Sequence, residues 1–190
     1  MLNSNNTILH DGEEEFLCLS SNVDLIESDK WESLIREHAS YDQKKTSIRL
    51  ERAYCRVYQP SHYGDKTFDP LRKILSDVVT TAIESIGRLE DRKLYLEEGA
   101  WGLIYADGES CGPHGHGKHN QYAGVYYIKT DPGCGSIYFP TIGMEIEPSS
   151  KDLVLFSSRL QHGVMPNLVK DAERVCIAFN VRLAHEVKNK

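Results

Sequence analysis

The sequence predicts a mostly β protein with helices flanking an antiparallel β core. The second half of the chain holds short runs of β-branched and aromatic residues, separated by turn residues such as Asp131, Pro132 and Gly133. No long helical pattern interrupts these runs, whereas the first half holds two segments with the apolar period of a helix. Strands that follow one another so closely pair antiparallel, so the core is expected to be a sandwich or a barrel.

The first part of the chain is expected to contribute supporting structure. Residues 1–16 are polar and acidic, which predicts a weakly ordered start. A helix is expected from Ser28, where Asp29 and Glu32 have the spacing of a capping box. Residues 47–59 are rich in β-branched and aromatic side chains and therefore predict a strand.

The strongest helical pattern lies between residues 69 and 86. Asp69 is placed to cap this helix, Pro70 suits its first turn, and Gly87 is expected to end it. The apolar residues at helical spacing fall on one face: Leu71, Leu75, Val78, Val79, Ala82, Ile83 and Ile86. Such a stripe predicts a helix that packs along the outside of a sheet.

The runs after Arg92 form the predicted β core. They include GSIYFP at residues 135–140 and ERVCIAFNVRL at residues 173–183. We expect residues 1–92 to form an N-terminal segment with supporting helices and first strands, and residues 93–190 to form the core. Both parts are expected to belong to a single structural domain, as the length of the chain ordinarily implies.

Composition and charge exclude several classes of function. The chain has 190 residues, a net charge of −6 and a pI of about 5.7, so it lacks the basic surface that nucleic-acid binding needs. No run of about eighteen apolar residues is present, which predicts no membrane span. The first residues have neither the charged nor the apolar region of a signal peptide. We therefore expect neither a nucleic-acid nor a membrane partner.

The cysteines indicate a reducing environment. They are odd in number, widely separated and without a CxxC pair: Cys18, Cys55, Cys111, Cys134 and Cys176. This pattern argues against a disulfide framework and favours free thiols, so the expected location is the cytoplasm.

A glycine-rich stretch carries the strongest candidate for chemistry. His114 and His116 lie two residues apart, so in an extended segment both imidazoles point to the same side. Neutral imidazole is a ligand suited to iron, zinc, copper or nickel. His162 follows the end of a predicted strand and can supply the third ligand of a three-ligand metal site. The alternative for the first pair alone is a solvated loop that happens to be rich in histidine.

The last predicted strand has one basic residue on its polar face. Alternation places Arg174, Cys176, Ala178 and Asn180 on one side, with apolar residues between them on the other. A guanidinium binds a carboxylate through two parallel hydrogen bonds. The alternative for Arg174 is an ion pair with a surface acid such as Glu173.

Three tyrosines are candidates for the wall of the same cavity. Tyr126 and Tyr127 are adjacent in a predicted strand, so one faces the cavity and the other faces away. Tyr105 lies in a separate strand. Tyrosine is an ordinary strand residue, so the alternative for each of them is a purely structural role.

In chain order, the motifs HxH, GVYYI, DLVLF, HGVMPN and ERVCIAFN resemble the iron(II)- and 2-oxoglutarate-dependent oxygenases. The branch most similar is that near the prolyl hydroxylases, with the putative 2OG-Fe(II) oxygenases. The resemblance covers about residues 98–183. It implies a double-stranded β-helix, a cupin-like jelly roll, as the core, and Fe(II), 2-oxoglutarate and O2 as cofactor and co-substrates.

The resemblance also implies roles for individual residues. The implied metal ligands are His114, His116 and His162. Arg174 takes the position that grips the distal carboxylate of 2-oxoglutarate, and Tyr127 that of a tyrosine bonded to the same carboxylate. Tyr105 is implied to line the co-substrate pocket, and Asn180 is grouped with this co-substrate set near its metal end.

The chain departs from the family pattern at two positions. The second metal position ordinarily holds an aspartate, and here it is His116; the alternatives are that His119 is the ligand instead, or that the metal is not iron. Three neutral ligands leave the metal its full double charge, which strengthens its attraction for an anionic co-substrate. Cys176 stands where many relatives have serine or threonine, and a thiol is a weaker hydrogen-bond partner.

The activity implied by the resemblance is that of a non-haem iron dioxygenase that hydroxylates an unactivated C–H bond of a small molecule, amino acid or peptide, releasing succinate and CO2. A rival is a cupin-type metalloenzyme that uses the same histidines without 2-oxoglutarate. Gly108 and the HxH pair match the opening of the first cupin motif, with Gln121 in place of its glutamate. Arg174 disfavours this rival, since a cupin has no need of it there. A non-catalytic metal-binding jelly roll is the third alternative.

Overall fold

A computed structural model describes residues 5–12, 15–41, 53–58, 66, 68–89, 92–116 and 120–185. These residues form two helices, α1 (Ser28–His38) and α2 (Asp69–Ser85). The strands in chain order are β1 (Asn5–Asp11), β2 (Phe16–Ser21), β3 (Ala53–Tyr54), β4 (Arg56–Tyr58), β5 (Arg92–Tyr105), β6 (Ser110–His114), β7 (Tyr122–Thr130), β8 (Ile137–Phe139), β9 (Met144–Ile146), β10 (Leu153–Ser157), β11 (His162–Val164) and β12 (Arg174–His185). The mostly β fold with flanking helices is as the sequence predicts.

The strands form two antiparallel sheets. The large sheet has seven strands in the order β1-β2-β10-β7-β12-β5-β4, and the small sheet has five in the order β3-β6-β11-β8-β9. Strands β1, β2 and β4 from the N-terminal segment lie in the same sheet as four later strands, and the division at residue 92 stays a prediction. Neither described helix has the length and apolar character needed to cross a membrane.

Two apolar clusters lie on the two faces of the large sheet. On the outer face, Val175, Ile177 and Phe179 of β12 pack in one cluster with the buried residues of both helices. On the inner face, Cys176 and Ala178 pack in a second cluster with residues of the small sheet. This is the alternation that the sequence of β12 predicts, because successive side chains of a strand point to opposite faces.

Helix α2 has the buried stripe that its sequence predicts, and its remaining apolar residue, Ile86, is partly buried after the helix ends. Gly87 follows with a φ of +71°, a conformation that favours glycine. The expected cap at Asp69 is wrong: Phe68 holds the cap position, no side-chain cap hydrogen bond forms, and Asp69 instead pairs with Arg72 at 2.9 Å.

The capping box expected for α1 is also wrong. The chain enters this helix through Glu27 in the left-handed conformation, so Ser28 and Asp29 already lie within the first turn. No side chain caps the helix. Asp29 is therefore left to interact with the positive end of the helix dipole, where a carboxylate is favourable.

The expectation of a weakly ordered start over residues 1–16 is wrong for the part that the structure describes. Residues 5–11 form β1, which pairs along its length with β2, and β2 pairs with β10. Phe16 and Leu17 are fully buried, so they anchor β2 and give β1 an edge to pair with. An edge strand is held by backbone hydrogen bonds and needs no apolar pattern of its own.

The strand expected over residues 47–59 is observed at 53–58, and its other residues lie outside the described part. Cys55 separates β3, which lies in the small sheet, from β4, which lies in the large sheet. The segment thus passes from one layer to the other beside the interior of the sandwich.

Replacing Gly102 by alanine is expected to destabilise the fold by about 1–3 kcal/mol, because overpacking forces side chains or backbone to move. A Cβ there would lie 2.4 Å from Cγ1 of the fully buried Ile35, where α1 packs on β5. Thermal unfolding measures this, with a fall in Tm of about 2–4 °C per kcal/mol. The control is Gly115→Ala, whose Cβ would meet nothing closer than 3.5 Å. Equal melting temperatures for the two variants would contradict the packing argument.

Candidate metal centre

Three histidines meet at one end of the small sheet. His162 at the start of β11 is paired in register with His114 at the end of β6. His116 follows β6, and its backbone N–H donates to the carbonyl oxygen of Ser158 at 2.8 Å. One ligand atom from each histidine lies within 4.8 Å of the other two, close enough to surround a single ion. His119, the alternative second ligand, lies outside the described residues.

Two of the rings are oriented by backbone carbonyls. His114 Nδ1 lies 3.0 Å from the oxygen of Gly112, and His162 Nδ1 lies 3.0 Å from the oxygen of Leu160. A carbonyl only accepts, so each Nδ1 carries a proton, which leaves Nε2 as the ring nitrogen that can bind a metal. Phe156 packs its ring 4.4 Å from that of His162. The backbone therefore fixes the orientation of both rings and the nitrogen that each can offer to a metal.

Burial favours the uncharged form of His162 and His116. It lowers the pKa of His162 well below its ordinary value, and the neighbouring His114 and His116 add to the effect. Burial and His114 likewise lower the pKa of His116 to about 4. Neutral imidazole is the form that coordinates a cation, so the donor set suits a borderline metal ion such as iron, nickel or zinc.

A buried arginine lies in the opposite wall. Arg174 is 1% exposed, its Nη1 donates to the carbonyl oxygen of Gly135 at 2.7 Å, and its guanidinium carbon lies 4.6 Å from the ring centroid of Tyr105. Its Nε and Nη2 are buried and have no acceptor among the described residues. These two groups are the side-by-side donors that a carboxylate bridges. An unpaired buried donor is unfavourable, so this arrangement fits an acidic ligand.

Glycine is required at the carbonyl that holds this arginine. Gly135 has a φ of +81°, and a Cβ there would lie 2.6 Å from the backbone oxygen of Met165. The tight turn before β8 thereby fixes the guanidinium while leaving its other edge open to the cavity.

The alternative pairing of Arg174 with Glu173 is not what the structure has. Glu173 lies on the other face of the strand and bonds Arg36 at 2.6 Å and Arg56 at 2.7 Å. Of the tyrosine pair, Tyr127 lines the cavity, whereas Tyr126 faces away and donates its hydroxyl to the oxygen of Val23 at 2.9 Å.

The histidines and the arginine share one cavity of about 260 Å³ between the two sheets. All seven residues that the sequence singles out line it: His114, His116, His162, Arg174, Tyr127, Tyr105 and Asn180. The structure thus brings the whole set together, and the role of each member remains a prediction. Burial raises the pKa of Tyr127 and Tyr105 above the ordinary value, with Arg174 acting in the opposite sense. Both hydroxyls therefore stay protonated and can donate.

Strand register arranges the large-sheet wall in rows. Arg174 is opposite Tyr105, and Cys176 is opposite Leu103 and Tyr127. Further along β12, Ala178 is opposite Trp101. The last row runs across three strands, from Asn180 through Ala123 to Phe156. The cavity therefore has one end at Arg174 and another at Asn180. The Asn180 end lies near the histidines, because Phe156 of the same row packs on His162.

Several lining residues were not found from the sequence, among them Trp101, Leu103, Val125, Ile137, Phe156 and Val164. Trp101 and Leu103 lie four and two residues before Tyr105 in one strand, so alternation from Tyr105 was a usable signal. The others depend on how separate strands pair and stack.

Replacing Glu173 by glutamine is expected to lower Tm by about 2–4 °C at pH 7, since a partly exposed ion-pair network contributes about 1 kcal/mol. Burial alone would raise the pKa of this carboxyl, but the hydrogen bonds and charges of Arg36 and Arg56 outweigh it and hold the pKa below its usual value. A depressed carboxyl pKa stabilises the fold above the unfolded-state pKa, and this contribution is lost as pH falls through the folded pKa.

Melting curves from pH 7 to pH 3 test this, and the difference in Tm between wild type and Glu173→Gln should begin to narrow as the pH falls below the ordinary glutamate pKa of about 4.3. The exposed Glu145→Gln variant is the control and should match the wild type throughout. A gap that persists unchanged into acid would contradict the assignment of the effect to the charge of Glu173.

Comparison with known proteins agrees with the sequence motifs. The family model described as putative 2OG-Fe(II) oxygenase matches residues 139–180. No curated protein matches the sequence significantly.

Solved structures share the fold at low sequence identity. A prolyl-4-hydroxylase of Pseudomonas putida superposes with a TM-score of 0.60 at 15% identity, over 87% of this chain and 91% of that one. A viral collagen prolyl hydroxylase from Paramecium bursaria Chlorella virus 1 gives a TM-score of 0.55 at 15% identity, over 92% and 98%. HygX from Streptomyces hygroscopicus, solved with nickel and 2-oxoglutarate bound, gives 0.58 at 14% identity, over 87% and 82%.

The predicted double-stranded β-helix core is therefore confirmed. The similarity to the iron(II)- and 2-oxoglutarate-dependent oxygenases, in the branch near the prolyl hydroxylases, is confirmed by the match at residues 139–180 together with this shared fold.

Proposed function

We propose that the chain is an Fe(II)- and 2-oxoglutarate-dependent dioxygenase that hydroxylates a C–H bond of a small molecule, amino acid or peptide. The observation that carries the proposal is the pairing within one cavity of two complementary features. One is a cluster of three imidazoles, and the other is a buried guanidinium with two donors that no described residue accepts from. A metal ion satisfies the first, and the distal carboxylate of a diacid satisfies the second.

In this proposal, His114, His116 and His162 hold the metal through their lone pairs. The bound iron and 2-oxoglutarate supply the oxidising chemistry, with O2 as co-substrate and succinate and CO2 as products. Arg174 and the hydroxyl of Tyr127 hold the far carboxylate of 2-oxoglutarate, which fixes its orientation toward the histidines.

The neighbouring groups support this orientation. Tyr105 lies against the guanidinium and restricts its movement. Burial raises the pKa of Cys176 to about 12, so its thiol stays neutral and adds no charge that would repel the diacid. The apolar walls exclude water, which strengthens the attraction between the guanidinium and the carboxylate.

The substrate is proposed as a class of molecule, and the reaction is proposed as a type. Solved neighbours include a prolyl hydroxylase in complex with a peptide fragment and an epimerase from nogalamycin biosynthesis, so peptide and small-molecule substrates both fit this fold. Hydroxylation is proposed as the reaction. We also propose a cytoplasmic location, consistent with five buried cysteines that form no disulfide among the described residues.

The test is anaerobic addition of Fe(II) and 2-oxoglutarate to the purified protein. We expect the weak visible charge-transfer band of the chelate, followed by succinate on admission of O2. Protein loaded with Zn(II), which has no redox chemistry, is the control and should give neither. Metal binding without the band or succinate would favour the cupin-type alternative, in which Arg174 has no diacid to hold.

A further inference from the structure

Asn180 occupies a different part of the cavity from the diacid site. It lies six residues after Arg174 on the same face of β12, which is about 20 Å along the strand. A five-carbon diacid clamped at Arg174 is much shorter than this separation. Asn180 instead shares a row with Phe156, whose ring packs on His162. Its carboxamide therefore lies at the metal end of the cavity, out of reach of the distal carboxylate that Arg174 would hold.

The carboxamide oxygen of Asn180 is buried and accepts no hydrogen bond from the described residues. The residue is 6% exposed, and no described residue donates to its Oδ1. An unsatisfied buried acceptor destabilises a protein, so such groups are found where a ligand completes the hydrogen bonding. Asn167 shows the contrast: it is fully buried, yet its Nδ2 donates to Ala172 and its Oδ1 accepts from Val169.

The surroundings of Asn180 are uncharged. The nearest rows of the wall contribute Trp101, Val125, Ala178 and Phe156. Arg174 at the far end is the only arginine, lysine, aspartate or glutamate among the described residues that line the cavity. A charged substrate group beside Asn180 would lose its hydration without an oppositely charged side chain to pair with among the described lining residues there, which is unfavourable.

We propose that Asn180 anchors the prime substrate through an uncharged carboxamide or hydroxyl group, and that the part of the substrate entering this end is otherwise apolar. The side chain of Asn180 both accepts and donates hydrogen bonds. A carboxamide or a hydroxyl group of the substrate is neutral and can also do both. The assignment rests on the proposed function, because it takes the arginine end to be filled by 2-oxoglutarate. Asn180 is thereby a specificity residue for the substrate and not part of the co-substrate set.

The first experiment compares Asn180→Leu with the matched control Asn167→Leu. Removing an unsatisfied buried acceptor is expected to leave Tm unchanged or raise it by about 2–4 °C, whereas removing the bonded carboxamide of Asn167 should lower Tm by more than about 4 °C. The Kd for 2-oxoglutarate of metal-loaded Asn180→Leu should stay within about twofold of wild type. A fall in Tm comparable to that of Asn167→Leu, or a tenfold loss of 2-oxoglutarate affinity, would overturn the proposal.

The second experiment measures binding of small probes to the Zn(II)- and 2-oxoglutarate-loaded full chain by saturation-transfer NMR. The amide arm uses N-acetyl-L-alaninamide against its free acid, and the hydroxyl arm uses 3-methylbutan-1-ol against 3-methylbutylammonium. We expect at least one neutral probe to bind the wild type and to bind Asn180→Leu at least about tenfold more weakly. The arm that responds identifies the substrate group.

The outcomes separate this proposal from the proposed function. Binding of the charged probes as well as the neutral ones, equal binding to both proteins, or no binding of either neutral probe would each overturn the role of Asn180. Failure of the wild type to bind 2-oxoglutarate, in contrast, would overturn the oxygenase proposal on which this one rests.

Discussion

Replacing His162 by alanine is expected to lower metal affinity by more than about 100-fold, since the site then keeps two of its three imidazoles. His162 is 5% exposed, its Nδ1 is held by the carbonyl of Leu160, and its ligand atom lies within 4.8 Å of those of His114 and His116. Competition with a chromophoric chelator measures the affinity for Fe(II), Ni(II) and Zn(II).

Two further variants make the result specific. His162→Gln keeps most of the volume and a polar end while removing the imidazole, and it should lose metal as His162→Ala does. His38→Ala removes an exposed imidazole at the end of α1 and should bind metal as the wild type does. Wild-type affinity in a folded His162→Gln protein would exclude the three-histidine site.

Replacing Arg174 by methionine is expected to raise the Kd for 2-oxoglutarate by at least about 100-fold and to leave metal affinity unchanged. Removing one partner of a buried charged pair is worth about 3–5 kcal/mol, which corresponds to this range of affinity. Methionine fills much of the same volume, so the wall keeps its packing while the Nε and Nη2 donors are lost. Isothermal titration of the Zn(II)-loaded protein with 2-oxoglutarate gives the Kd without turnover.

The matched control is Arg56→Met. Arg56 lies at the other face of the large sheet and pairs with Glu173 at 2.7 Å, so its loss should cost some stability but leave the Kd for 2-oxoglutarate within about twofold. An unchanged Kd in Arg174→Met would show that this guanidinium does not hold the co-substrate.

The face of β12 was predictable because alternation is a local property. Every second residue from Arg174 to Asn180 lines the cavity, and the residues between them pack toward the helices, as a period of two requires. The same alternation predicts that one of Tyr126 and Tyr127 faces the cavity and the other faces away. Alternation does not say which, whereas the family resemblance pointed to Tyr127, which lines the cavity.

The convergence of the histidines depends on long-range pairing. His114 and His116 are close in sequence, but His162 reaches them because β11 pairs with β6 in one particular register. The packing of Phe156 on His162 depends in addition on how the two sheets stack. Motif spacing suggested the ligand set, and no local pattern contained the contact with Phe156.

The errors in the first part of the chain have local causes. Glu27 enters α1 in a left-handed conformation that its residue type does not signal, which displaced the predicted cap. In β1, Ile8 is 45% exposed, so the strand has little apolar burial to reveal it. Its pairing with β2 provides the order, and backbone pairing leaves no trace in an apolar pattern.

The histidines and Arg174 belong to different layers: His114 and His162 to the small sheet, Arg174 to the large one. In the proposed holoenzyme, one bound diacid would link the two sheets, with one end at the metal and the other at the guanidinium of Arg174. Separating the two sheets must then release the ligand. A hundredfold excess of 2-oxoglutarate over its Kd is therefore expected to raise the free energy of unfolding by about 2.7 kcal/mol. Without metal and 2-oxoglutarate this link is absent, and local opening between the two sheets is expected to be more frequent.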